Sequence, residues 1–119
     1  MINNVPLNDA AQYAAAILQL YLQLPETPLR ASSNDRQTVD TLHARGIDLA
    51  TIESALLLAS VRRLSRSPDS PPLSPIRSLA YFLPVIDEIL NNPVLDDYLE
   101  YLRRKVKSLS SRGGLTKSA

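Results

Sequence analysis

The chain has 119 residues, enough for one ordinary domain and too few for two. It is 45% hydrophobic and 21% charged, which is ordinary globular composition. It has no cysteine, which excludes a disulfide framework, a thiolate metal site and a cysteine nucleophile. No run of about 18 apolar residues is present to span a membrane. The first dozen residues also lack the basic-then-apolar pattern of a signal peptide, so a soluble, cytoplasmic protein is expected.

The formal net charge is only +1, but the charges are unevenly placed. After Glu100 there is no acid, while Arg103, Arg104, Lys105, Lys107, Arg112 and Lys117 follow. A second basic set is Arg62, Arg63, Arg66 and Arg77, diluted only by Asp69. With aromatics at 5% and only 3 glycines, the core must be built from Leu, Ile, Val and Ala, a mix that favours helices.

The periodicity predicts a first helix over residues 7–24. Asn8 or Asp9 can cap it, Tyr13, Ile17, Leu20 and Leu24 fall three or four apart, and Pro25 stops it. Residues 25–31 read as an extended connector. Ser32 and Asp35 approximate a capping box for a second, mostly polar helix anchored by Val39 and Leu42 and closed by Gly46. Asp48 caps a central helix from Leu49 to about Ser65 that is apolar over most of its circumference, so other helices should surround it. Its end turns basic, which suits the negative end of the helix dipole.

Residues 67–75, with four prolines, read as a stiff extended connector and not as a domain boundary. Ser74-Pro75 reads as a cap-and-proline start of a fourth helix, with Ile76, Leu79, Phe82, Leu83, Ile86 and Leu90 inward and a kink or split at Pro84. Asn92-Pro93 reads as the same kind of start for a fifth helix, running to about Leu109. Its inward set is Val94, Leu95, Tyr98, Leu102, Val106 and Leu109. The fold expected is therefore all-α: a compact bundle of about five helices forming one domain over residues 1–109, with a flexible basic tail at 110–119.

The catalytic inventory is thin. His43 is the only histidine, and Asp40 one turn earlier forms with it an ordinary surface pair. Asp96-Asp97 opens a helix, where acids suit the dipole, and neither this pair nor Asp87-Glu88 has the histidine partners of a carboxylate metal site. No nucleophile motif or phosphate-binding glycine loop is present, so neither an enzyme nor a cofactor or metal is expected. The stretch around Gly46 has the outline of a helix-turn-helix. However, the start of its second helix carries Leu49, Ala50, Thr51, Glu53 and Ser54, none of them suited to bidentate base reading.

The basic clusters are the stronger signal. Arg103, Arg104, Lys105 and Lys107 lie on several sides of one helix, and Arg62, Arg63, Arg66 and Arg77 can extend the patch. Cations so placed bind phosphates by releasing counterions. The expectation is a non-enzymatic accessory protein that contacts the backbone of DNA or RNA without strong sequence specificity. The alternative is a protein–protein adaptor or homo-oligomeric helical module, with Leu57, Leu58, Val61, Tyr81 and Phe82 as apolar surplus.

Gly46-Ile47 after a polar helix, Ile52-Glu53-Ser54-Ala55, and Tyr81-Phe82 with Ile86 occur in an order that resembles the DnaD-type helical domain of primosomal and phage replication proteins. The resemblance spans residues 33–90 and departs in the proline-rich 67–75 insert and at Pro84. It implies a replication or mobile-element assembly with DNA and protein partners, and carries over no catalytic residue.

Overall fold

The structure, a computed structural model, describes residues 9–112, the side chains of the last two excepted. It is all-α: α1 (Ala10–Gln23), α2 (Ser33–Ala44), α3 (Leu49–Leu64), a 3₁₀ turn (Leu79–Phe82), α4 (Leu83–Asn91) and α5 (Asp96–Arg112). The tail expected from residue 110 begins inside α5, and residues 113–119 lie outside the described residues.

Local chemistry accounts for the first three helices. The Asp9 carboxylate accepts from the Ala11 N–H at 2.8 Å and caps α1. Ser32 and Asp35 make both halves of a capping box, at 3.1 and 3.0 Å. Gly46, at φ +73, closes α2 with a Schellman motif: its N–H donates to the His43 carbonyl and the Ile47 N–H to that of Leu42. A Cβ at Gly46 would meet no neighbouring atom, so the requirement for glycine is one of backbone conformation, not of space. Asp48 caps α3 by accepting from the Thr51 N–H at 2.9 Å. Those bonds hold its carboxyl below the ordinary aspartate range.

α3 is the axis of the bundle. Residues 54–60 are buried without interruption, and the helix packs on α1, α4, α5 and the 3₁₀ turn. Ser54 sits there at no polar cost because its hydroxyl donates to the Ala50 carbonyl at 2.8 Å. Tyr13 reaches from α1 to the start of this axis, donating its phenol to the Ile47 carbonyl at 2.6 Å, and burial pushes its pKa up to about 12.

The fold departs from expectation after residue 75. No helix starts at Ser74-Pro75. Residues 71–78 run without turn or bend, and helical geometry begins only at Leu79. Two bonds from distant parts of the chain hold this segment extended. The Ile76 N–H donates to the Glu26 carbonyl at 3.0 Å, and the Leu79 N–H to Oδ1 of buried Asp35 at 2.9 Å. Glu26 itself adopts φ +66, a conformation rare outside glycine, and so turns its carbonyl and side chain toward the connector. The split expected at Pro84 is real. The 3₁₀ turn gives way to α4 at Leu83, and Pro84 falls in the first helical turn, where a missing N–H costs nothing.

α5 likewise starts three residues later than Pro93, at Asp96, with the Leu95 carbonyl accepting its first bonds from Tyr98 and Leu99. Its buried positions are Leu99, Leu102 and Val106. Leu95 and Tyr98, expected inside, are exposed. On α4, Ile89 is buried in place of Leu90. Leu57, Leu58 and Phe82, expected as apolar surplus, are core residues. Tyr81, also expected as surplus, is exposed; the other large apolar groups exposed among the described residues are Leu90, Leu95, Tyr98 and Tyr101 around the junction of α4 and α5, with Leu29 and Leu73 apart from them in the chain.

Candidate nucleic-acid interface

The eight cations proposed from sequence divide into two groups once their partners are known. Arg62, at the end of α3, makes a fork-to-fork pair with Glu88 of α4, at 2.8 and 2.5 Å. The pair raises the arginine and holds the Glu88 carboxyl below its ordinary range. Arg63 is more deeply committed, its side chain being only 5% exposed. It donates Nε to Glu26 at 2.6 Å, one terminal nitrogen to the Ser74 carbonyl and the other to the Tyr81 hydroxyl, and it lies 5.5 Å from the Tyr81 ring centre. Burial works against its charge, and the bonds to Tyr81 and Glu26 more than offset this. Arg66 donates to the Pro71 carbonyl at 2.9 Å. Arg63 and Arg66 are therefore fixed to the connector, and Arg62 to α4.

Arg103 is also paired. Two of its nitrogens bond Glu53 at 2.7 and 2.8 Å and a third bonds Glu100 at 2.8 Å, which raises its pKa. Glu53 lies nine residues before Arg62 on α3, about 14 Å along the axis at 1.5 Å per residue. The two clusters thus attach to opposite halves of the same helix.

Four of the eight remain. Arg77 is exposed, as are Arg104 and Lys107, and Lys105 is half-buried. None makes an ion pair or hydrogen bond through its side chain with another described residue. Three of them follow one another on the last turns of α5. Beside them is a feature that charge counting misses. Tyr98 and Tyr101 are exposed and stacked, ring centres 5.7 Å apart and planes 21° apart. On a helix, residues three and four apart are neighbours, so Tyr101 is flanked by Tyr98 on one side and by Arg104 and Lys105 on the other. The sequence did hold a signal for this: Tyr98, Tyr101 and Arg104 recur at three-residue spacing. Tyr98 also fits the buried stripe by its spacing from Leu102 and Val106, yet it is exposed.

The other candidate chemistry is structural. Asp87 pairs with Arg45 at 3.4 Å and Glu88 with Arg62. The His43 ring meets Tyr13 edge-on at 4.8 Å, lining an apolar pocket of about 380 Å³ with Gly46, Ile47, Asp48, Leu49 and Ala50. Among the described residues no group of His, Asp and Glu converges as metal ligands would, and no helix is long and apolar enough to cross a membrane. No family model matches this chain, and comparison with curated proteins and with solved structures finds no significant match.

Proposed function

We propose that this chain is a non-enzymatic accessory protein that binds the phosphate backbone of DNA or RNA through the outer face of α5. The observation that carries the reading is a set of cations, Arg104, Lys105 and Lys107, that have no ion pair or hydrogen bond through their side chains among the described residues and lie beside an exposed tyrosine stack. Unpaired cations release counterions when they meet phosphates, and exposed aromatic faces accept bases without sequence preference. Arg62, Arg63 and Arg103 contribute little, because a phosphate must first displace a carboxylate. A place in a replication or mobile-element assembly in the cytoplasm accords with the DnaD-type resemblance of residues 33–90. The test is a titration of labelled single-stranded DNA, duplex DNA and RNA at two salt concentrations. Binding at low salt that weakens steeply at high salt is expected; no binding, or binding indifferent to salt, contradicts the reading.

A second reading rests on a different observation. Leu95 is 78% exposed, and Leu90, Tyr98 and Tyr101 are also exposed. An apolar cluster of this kind also suits a protein partner or a second copy. Sedimentation over a range of protein concentrations separates the two. Self-association abolished by Leu95→Glu supports the second reading, and a monomer at every concentration argues against a homo-oligomer.

A further inference from the structure

The connector holds a pattern that nucleic-acid binding does not use: Pro71-Pro72-Leu73-Ser74-Pro75-Ile76-Arg77. Each proline fixes its own φ near −65° and drives the residue before it out of the helical region, so Ser70, Pro71 and Ser74 are all biased to extended backbone. Residues 71–78 accordingly run straight. A polyproline II helix repeats every three residues. Leu73 and Ile76 therefore share one edge, Pro72 and Pro75 a second, and Pro71, Ser74 and Arg77 the third.

The Leu73–Ile76 edge faces the protein. Ile76 is 4% exposed and tied through its N–H to Glu26, while Leu73, still 47% exposed, rests at the rim of a shallow groove with Arg66, Tyr81 and Val85. The other two edges are open to solvent along their length. Arg66 and Arg63 bind the carbonyls of Pro71 and Ser74, clamping the strip from the protein side. The strip is thus extended, stiff and immobilised before any partner arrives, which removes much of the ordering cost of binding. Arg77, two residues beyond the second proline, is exposed and has no partner among the described residues.

We propose that residues 71–77 are a docking strip for a partner domain with an aromatic-lined, polyproline-binding groove. Such grooves take the ridges of a preformed polyproline II helix. Here Pro71-Pro72 and Ser74-Pro75 supply two ridges at the required three-residue interval. The charge of Arg77 selects a groove with an acidic pocket at the C-terminal end of the strip. This proposal does not depend on α5 or on nucleic acid.

The probe is a purified SH3 domain that takes ligands of the form P-x-x-P-x-Arg, titrated into the full ¹⁵N-labelled chain. The prolines have no N–H, so Leu73, Ser74, Ile76, Arg77 and Ser78 report. Their amide signals should shift saturably while those of α5 stay still. Arg77→Glu, which removes no side-chain hydrogen bond or ion pair among the described residues, should weaken binding roughly tenfold or more with an unchanged melting temperature. Pro72→Ala should weaken it similarly. Four results would each overturn the proposal. These are no shift in the strip, equal binding by the Arg77→Glu chain, binding by a free peptide of residues 70–78 but not by the intact chain, and an oligonucleotide that shifts these same amides in place of the SH3 domain.

Discussion

The connector wall and the outer face of α5 are built from the same kinds of residue and use them in opposite ways. On the wall, Arg63 lies over Tyr81, bonds Glu26 and the Ser74 carbonyl, and is almost wholly enclosed. On α5, Tyr98 stacks on Tyr101, and Arg104, Lys105 and Lys107 follow them with no side-chain partner among the described residues. The difference is the presence of acids and carbonyls brought in from far along the chain: Glu26 lies 37 residues before Arg63, and Glu88 lies 26 after Arg62. An arginine cluster is therefore structural or available according to what the fold places opposite it. Its own composition does not decide between the two.

Breaking the wall should cost the most. Asp35→Ala removes a buried carboxylate that accepts from the Ser32 and Leu79 N–H groups. Leaving two donors without an acceptor should destabilise the protein by about 3 kcal/mol in chemical denaturation. Asp35→Asn, which keeps one acceptor oxygen, should cost less. Arg63→Ala should cost about 2 kcal/mol. It leaves Glu26 unpaired, but that carboxylate is one-third exposed and water recovers part of the loss. If Arg63→Ala proves neutral, the wall is no more structural than α5.

Smaller effects sharpen the contrast. Arg103→Ala breaks pairs with Glu53 and Glu100 in which the arginine is about half exposed, and should cost about 0.5 kcal/mol, less in high salt. The Arg62–Glu88 pair should show itself through pH. Arg62 lowers the folded pKa of Glu88, so the stabilisation is present above the unfolded glutamate value of 4.5 and is lost as pH falls through the folded value. Wild type and Arg62→Gln should then differ slightly in stability at neutral pH and converge in acid. A difference that persists at low pH would assign the effect of Arg62 to packing. Replacing Arg104, Lys105 and Lys107 with Gln should change stability by less than about 0.5 kcal/mol, because no described contact is lost.

The sequence displayed what is local. Asp9, the Ser32–Asp35 box, Gly46 and Asp48 mark helix ends within three residues of the groups they satisfy, and each does so in the structure. The apolar girth of α3 likewise foretold its central place. What could not be read was set by partners remote in the chain. Ser74-Pro75 has the local signature of a helix start. Glu26 and Asp35 overrule it by taking the Ile76 and Leu79 N–H groups, the latter from 44 residues away. Nothing in the sequence marks Glu26 as a residue of positive φ. On α5 the apolar spacing alone does not select the buried face: Leu95 precedes the helix, and the face that docks runs through Leu99, Leu102 and Val106, which leaves Tyr98 exposed. Among the eight cations the same limit applied, since pairing depends on Glu26, Glu53 and Glu88, which lie on other elements.

The claim that α5 and not α3 meets phosphate is tested most directly by the salt dependence of binding to a short labelled single-stranded DNA. Three chains are compared: wild type, Arg104→Gln/Lys105→Gln/Lys107→Gln, and Arg62→Gln/Arg66→Gln. The α5 variant should lose most of its affinity at low salt, and its log K against log [salt] slope should flatten by about 2. The α3 variant should keep the wild-type slope. A flattened slope in the α3 variant, with the α5 variant unchanged, would contradict the account.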